Sequence, residues 1–383
     1  MKRYDYIIAG CGAAGLQLAY AMSEDSFFRD KKILLLDSSE KNTNDRTWCW
    51  WEKGSGSWDH LIAKSWRKAD FMSNGFEKTI DLGEYSYKML RSADFYSFVK
   101  NSLSQIPMFE WRTESILEIT ERNDYAEVVT SHACYAASAV FNSIADLKSE
   151  AALSKHPWIH QHFVGWFVRT EHPVFDDSRF TMMDLKVEQK GNTRFMYVLP
   201  TSPCEALFEY TLFSANLLSR EEYEEGIRDY LQKAGIESYE IVEKEAGVIP
   251  MTTHPFHRKN SKHILHIGSA GGWTKASTGY TFYLAGKQVV RLIDFLKSES
   301  SMESFHRSSR FAFYDSVVLD LLSRRNDVGA AFFTSIYRSQ SIDRIFRFLN
   351  EESSVSDELA VIGRAAPRKL LIRSVWNTLF AKS

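Results

Sequence analysis

Residues 4–15 read YDYIIAGCGAAG, and the last six of them fit the pattern GxGxxG. Tyr4–Ala9 before the glycines is a short β-prone run, and Ala13–Ser23 after them carries Leu16, Ala19 and Tyr20 at helical spacing. KKILLLD (31–37) then gives an apolar run ending in Asp37, the pattern of a strand buried on both faces of a parallel sheet. Together these make a βαβ unit. Each glycine has its own duty: Gly10 permits the tight turn, Gly12 lets backbone approach a pyrophosphate, and Gly15 lets the helix pack closely. The helix N-terminus at Ala13 and Ala14 offers free N–H groups to the anion. Asp37, 22 residues after Gly15, is placed for an adenosine ribose hydroxyl. A lone GxGxxG is a weak signal; in this frame it predicts a Rossmann-like dinucleotide site.

The bulk composition narrows the function. With 383 residues the chain is long enough for two subdomains and a substantial core. A net charge of −2 argues against nucleic-acid binding, which needs a pronounced basic field. Cys11, Cys49, Cys134 and Cys204 are scattered without a CxxC pair, so neither a disulfide framework nor a metal site is expected, and a reducing compartment fits. MKRYDYIIAGCG has no signal-peptide pattern, and no apolar run approaches the ~20 residues that span a bilayer. The expectation is a cytoplasmic protein, at most peripheral to a membrane.

The middle of the chain has another texture. HFVGWFVRT (162–170), SRFTMMDLK (178–186), TRFMYVLP (193–200) and EALFEYTLF (205–213) are short aromatic and β-branched segments separated by turn residues, which predicts an antiparallel sheet. SREEYEEGIRDYLQKAG (219–235) predicts an amphipathic helix, opened by a Ser219/Glu222 capping box and stopped by Gly235. HILHIGSAGG (263–272) returns to a strand–turn pattern, and TFYLAGKQVVRLIDFLKS (281–298) predicts another helix; after it the chain reads mostly helical. From Leu359 onward Arg364, Arg368, Lys369, Arg373 and Lys382 face no acidic residue, interleaved with apolar ones such as Ile372 and Trp376. This tail reads equally as a surface for an anionic membrane or as a terminal helix packed on the domain.

An N-terminal dinucleotide site followed late in the chain by a second glycine-rich turn, here IGSAGGWTKASTGY (267–280), is the layout of FAD proteins with a glutathione-reductase-type fold. It would put Gly268 and the amides of Gly271 and Gly272 near the flavin's ribityl chain and ring. MLRSADFYSFVKNSL (89–103) resembles the arginine-led helix of flavoprotein hydroxylases, with Arg91 toward the cofactor; an exposed surface Arg is the alternative. Ser269 stands where most such flavoproteins have Asp.

WCWW (48–51) puts three of the ten tryptophans within four positions, after a polar run unlike the middle of an ordinary core strand or helix. Adjacent side chains such as Trp50 and Trp51 point different ways, so the expectation is that at least one of Trp48, Trp50 and Trp51 faces a flavin or substrate cavity.

Several segments together resemble the bacterial lycopene β-cyclase family: DRTWCWW (45–51), YKMLRSADFY (87–96), FVGWFV (163–168), MMDLK (182–186), FMYVLPTS (195–202), FEYTLFS (208–214), GVIPMTT (247–253) and IGSAGGWTKASTGYTF (267–282). They run in order through about two-thirds of the chain. Departures are small: FNS (141–143) for FDS, DLK (184–186) for DFR, and GSAGG (268–272) for GTAGG. The resemblance implies an α/β, α+β overall, architecture. An FAD-binding domain of glutathione-reductase type would comprise 1–65, 87–150 and 255–300. An inserted antiparallel β-sheet domain for the polyene would comprise 66–86 and 151–254, and a helical region open to membrane contact 301–383. It also implies an isomerase of carotenoid biosynthesis that uses reduced FAD with NAD(P)H as reductant, acts on membrane-dissolved lycopene, and makes no net redox change.

Such a cyclisation needs an acid, cation stabilisation and a dry tunnel. Glu209 sits alone in an apolar strand, on one face with Leu207, Thr211 and Phe213, where desolvation would keep it protonated. An edge glutamate facing water or paired with a buried Arg is the bland alternative, and the family's acidic motif at this position favours the acid. Asp184 is a second lone carboxylate, either holding Glu209's proton or a water, or bonded structurally. Trp48, Trp50, Trp51, Trp166, Trp273 and Tyr280 are candidates to face the carbocation, with core packing the alternative at each. Arg46 resembles a flavin contact. A flavin monooxygenase or polyene reductase acting on an isoprenoid lipid is the competing enzyme reading, and a carotenoid-binding protein the non-catalytic one.

Overall fold

The computed structural model describes residues 1–298, 300–307 and 309–380; Lys382 lies outside them. The opening βαβ forms as its pattern requires: strand Lys2–Ala9, helix Ala13–Glu24, then strand Ile33–Asp37 parallel to the first, with Tyr6 opposite Ile33 and Ala9 opposite Leu36. Every residue of Ile33–Asp37 is buried, because the strand lies inside the sheet with structure on both faces. The sheet runs in the order Phe109–Thr113, Ile33–Asp37, Lys2–Ala9, Cys134–Asn142, Ala126–Thr130, Ile116–Glu121. Strand Ile264–His266 adds in parallel to Cys134–Asn142, so the late glycine-rich turn emerges beside the early one. Helix Phe282–Leu296 packs on helix Ala13–Glu24, and the Gln17 amide donates to the Phe282 carbonyl at 3.1 Å.

A second seven-stranded sheet runs Glu240–Thr252, Trp158–Arg169, Glu205–Ser214, Thr193–Ser202, Phe180–Asp184, Lys68–Ser73, Phe76–Asp81. It is antiparallel except where Phe180–Asp184 meets Lys68–Ser73. The four strands and the helix foreseen in the middle of the chain all form. Helix Arg220–Lys233 carries the full capping box: Ser219 accepts from the Glu222 amide and the Glu222 carboxylate from the Ser219 amide. Strand alternation sorts the sheet's side chains onto two faces. Ala206, Phe208, Tyr210 and Leu212 pack on Tyr223, Ile227 and Leu231 of that helix. Leu207 and Phe213 face the other way, into a core shared with Phe332, Tyr337 and Phe346 of the C-terminal helices.

The tryptophan run overturns one expectation. Thr47–Lys53 is an edge strand of a three-stranded sheet, paired antiparallel with the central strand Tyr85–Arg91, which pairs in turn with Ile62–Trp66. The polar run before it is the loop 38–46, and the partner strand comes from too far along the chain to show in the local pattern. Alternation sends Trp50 into the core of the first domain against Phe282, and Trp51 into that of the second, stacked on Phe346 at 4.5 Å and 3°.

Five helices, Arg310–Arg324, Gly329–Ser339, Ile342–Leu349, Val355–Arg364 and Arg368–Phe380, close the structure. Buried Lys275 lies 3.0 Å from both Asp315 and Glu351 and ties the loop 272–281 to them. The last helix buries Leu371 and leaves Ile372, Trp376, Leu379 and Phe380 exposed. Among the described residues no helix is long and apolar enough to cross a membrane.

Candidate active site

A cavity of about 520 Å³ starts at Gly12, Ala13 and Ala14 and passes Arg46, Trp48 and Trp51. It continues between the second sheet and the C-terminal helices as far as Tyr337 and Val361. Its size suits a small-molecule site.

The glycine end has the shape a dinucleotide needs. Gly10 has φ +93°, and a Cβ there would meet Ser143 Oγ at 2.2 Å; a Cβ on Gly15 would meet the Gly10 carbonyl at 2.2 Å. Gly12 has nothing within 4 Å of a Cβ, an open cradle on the cavity side. Helix Ala13–Glu24 begins at Gly12 with no side-chain cap and no acidic residue in its first turn, so its amides remain free for a phosphate. Gly268 (φ +57°) packs against Ala14 and lines the cavity with Ser269. Lys41 and Arg46 stand at the mouth. These residues fit a dinucleotide.

The sheet end carries the acids. Glu209 faces the cavity in register with Gly165 on one side and Tyr197 on the other. Gly165 is also in register with Glu245 on the edge strand, so two carboxylates flank one glycine. A Cβ on Gly165 would lie 3.0 Å from Glu209 Cγ and 3.1 Å from Glu245 Cγ, so only glycine leaves the pair undisturbed. Burial first, then the neighbouring Glu245 carboxylate, hold the Glu209 carboxyl well above the ordinary glutamate range. Both effects favour the protonated form of Glu209.

Phenols line the wall beside it. Tyr87 Oη lies 2.6 Å from Tyr197 Oη and 3.0 Å from Tyr280 Oη, and burial pushes all three well up. Burial does the same to the Cys49 thiol. The site thus presents aromatic faces and neutral hydroxyls, with no phenolate or thiolate to act as a nucleophile. Trp51 Nε1, Gln161 Oε1, Thr211 Oγ1 and Thr278 Oγ1 are buried without a protein partner on this same wall.

The expected site residues divide sharply. Glu209, Gly12, Ala13, Ala14, Arg46, Gly268, Trp48, Trp51 and Tyr280 share the cavity wall, while Gly10 and Gly15 shape the turn behind it. Asp37 turns its carboxylate into the fold, accepting from the Cys11 amide at 2.7 Å and from Ser39. Seven other expected residues lie off this wall. Asp184 is in register with Met196, and Met196 with Tyr210, so it lies on the helix-covered face, accepting from Tyr230 Oη and the Lys186 amide at 2.9 Å each. Trp166 lies on that face too, under Lys244 and Arg228. Trp50 is core of the first domain. Trp273, Gly271 and Gly272 line a separate cavity of about 300 Å³, the two glycine amides being bonded within their own turn. Arg91 pairs with Glu243 and covers the Phe167 ring at 4.1 Å, off the cavity wall.

Sequence reasoning missed Glu245, Tyr87, Tyr197, Cys49 and Lys41 as wall residues, and Gly165 as the spacer between the two glutamates. Two signals were available: a glycine inside a strand pattern marks a close approach, and EIVEKEAGV (240–248) alternates with period two, putting Glu243 and Glu245 on one face. The register that joins Glu245 to Glu209 carries no local sequence signal.

A family model described as lycopene cyclase protein matches residues 5–372. A lycopene beta-cyclase of Pantoea ananas is 24% identical over 295 residues, covering 74% of this chain and 72% of that protein. A lycopene beta-cyclase of a Paracoccus species is 25% identical over 381 residues, covering 95% and 94%. Among solved structures, the halogenase PltM in complex with phloroglucinol and FAD superposes with TM-score 0.61 at 14% identity, covering 99% of this chain and 92% of that one, a likeness of fold.

Proposed function

The chain belongs to the lycopene cyclase family, and from that premise we propose that it is a lycopene β-cyclase. It converts the ψ ends of lycopene to β-ionone rings, giving γ-carotene and β-carotene, by acid catalysis without net redox change. The observation that carries this reading is the buried Glu209 carboxyl at the wall of an aromatic cavity, in surroundings that favour its protonated form.

FAD, in its reduced form with NAD(P)H as reductant, is the dinucleotide we assign to the Gly10–Gly15 turn. Gly12, Ala13 and Ala14 would hold its pyrophosphate, with Arg46 and Gly268 beside it. When bound, the reduced flavin supplies an electron-rich ring whose negative potential favours a nearby cation. Glu209 holds the proton that is delivered to the terminal isolated double bond. The tertiary cation so formed is attacked by the neighbouring double bond, and a proton then leaves the new ring. Trp48, Trp51 and Tyr280 offer π faces to that cation, worth ~2 kcal/mol when desolvated, without offering it a nucleophile. The apolar wall from Phe195 to Phe333 keeps water from trapping it.

A polyene substrate dissolves in lipid, and the last helix supports delivery from a membrane surface. Ile372, Trp376, Leu379 and Phe380 recur at helical spacing on its exposed side, flanked by Arg368, Lys369 and Arg373. Trp376→Ser should reduce cosedimentation with anionic liposomes, and unchanged binding would remove this helix as the contact.

The deciding experiment is pigment analysis of lycopene-producing cells that express the chain, with NADPH oxidised per product counted in the purified reaction. Ring products with little NADPH consumed are expected. Acyclic oxygenated or reduced products formed with stoichiometric NADPH would instead indicate a monooxygenase or polyene reductase.

A further inference from the structure

We propose that Glu209 and Glu245 act as one acid, a carboxyl–carboxylate pair that holds a single proton across Gly165, with Glu245 as the positioning partner. The proposal rests on Glu209 being the acid of the cyclisation and deepens that reading.

Three observations carry it. First, the register places Glu209, Gly165 and Glu245 side by side on three adjacent strands, and the missing Cβ of Gly165 leaves room for the two side chains to approach. Second, no lysine, arginine or histidine forms an ion pair with either carboxylate among the described residues, whereas Glu243, two positions away, has Arg91. Two like charges side by side in a poorly hydrated site cannot both stay ionised, so one proton is retained. Third, the donors are unequal. Glu245 Oε2 accepts from Thr47 Oγ1 at 2.7 Å, while the Thr47 hydroxyl itself accepts from Arg91 Nη1 at 3.3 Å. The guanidinium thus fixes which way the hydroxyl points. The Thr47 donor goes to Glu245 and not to Glu209, which leaves the proton on Glu209, and Glu245 Oε1 is buried without a hydrogen-bond partner. Arg91 therefore acts through Thr47 on the acid, although it stands off the cavity wall.

The chemistry balances without a co-reactant. The Glu209 O–H bond breaks as a C–H bond forms at the terminal alkene, and the cation closes a new C–C bond. A C–H bond beside the ring cation then breaks, its electron pair forming the ring double bond. The proton returns to the pair, which at that moment carries two negative charges facing the cation. One proton leaves and one comes back, so the pair is ready for the next ψ end.

The test is the pH dependence of ring formation by the FAD-loaded enzyme with excess reductant and liposomal lycopene. Glu245→Gln removes the neighbouring charge, so the alkaline limb should move down by about one to two pH units. Gly165→Ala pushes the carboxyls apart and should move it the same way by less. The protonated-carboxyl infrared band of the resting enzyme should vanish in Glu209→Gln and titrate at lower pH in Glu245→Gln. An alkaline limb and band unmoved in Glu245→Gln would overturn the shared proton. Should Glu245→Gln fail to bind FAD, Gly165→Ala decides: a downward shift supports the pair, an unmoved limb overturns it. Full turnover by Glu209→Gln would instead overturn the acid itself, a separate outcome.

Discussion

The two faces of the seven-stranded sheet are built from the same strands, yet they treat a buried carboxyl group in opposite ways. On the helix-covered face Asp184 receives two hydrogen bonds, and Trp166 lies under two cations. On the cavity face Glu209 meets another carboxylate, and Thr211 and Trp51 keep buried polar atoms without protein partners. A buried carboxylate supplied with donors holds structure; one set beside another carboxylate marks where a proton belongs.

Substitutions should separate the faces. Glu209→Gln should lower ring formation by about 10²- to 10⁴-fold while flavin absorbance of the purified protein is retained, as removal of a general acid does. Comparable loss in Asp184→Asn would erase the distinction. The same Glu209→Gln variant should gain stability with rising pH. Above the ordinary glutamate value of 4.5 the unfolded chain releases a proton that the folded state keeps, so wild-type stability falls as pH rises toward the elevated folded value. Glutamine removes that linkage. The variant's advantage in urea unfolding should therefore widen between about pH 5 and 8, by at most about 1.4 kcal/mol per pH unit. A constant difference would mean that Glu209 is ionised in the fold. Tyr230→Phe takes a donor from buried Asp184 and should destabilise by about 1–3 kcal/mol with kcat unchanged. Trp166→Phe should be smallest, about 1 kcal/mol in stability from weakened cation–ring contacts and no change in product yield.

The contrast also shows what could be read from sequence. The βαβ unit was legible because strand, turn and helix lie within one short window and each glycine answers a local steric need. Glu209 was legible because strand alternation fixes its face relative to Leu207 and Phe213. Asp184 and Trp166 satisfied the same local criterion, a polar or aromatic residue in an apolar strand. Which face meets the helix and which the cavity depends on what packs there, and that is decided by residues far along the chain. Glu245 became visible once cross-strand register was known. The strand pairing of the tryptophan run was not legible for a related reason, since its partner Tyr85–Arg91 lies beyond any local window.

Trp50 and Trp51 are neighbours in the chain but anchor in different cores, one under Phe282 and the other on Phe346. Rotating either domain against the other would drag an indole out of its socket. One short strand thus joins the core behind the glycine cradle to the core behind the acid pair.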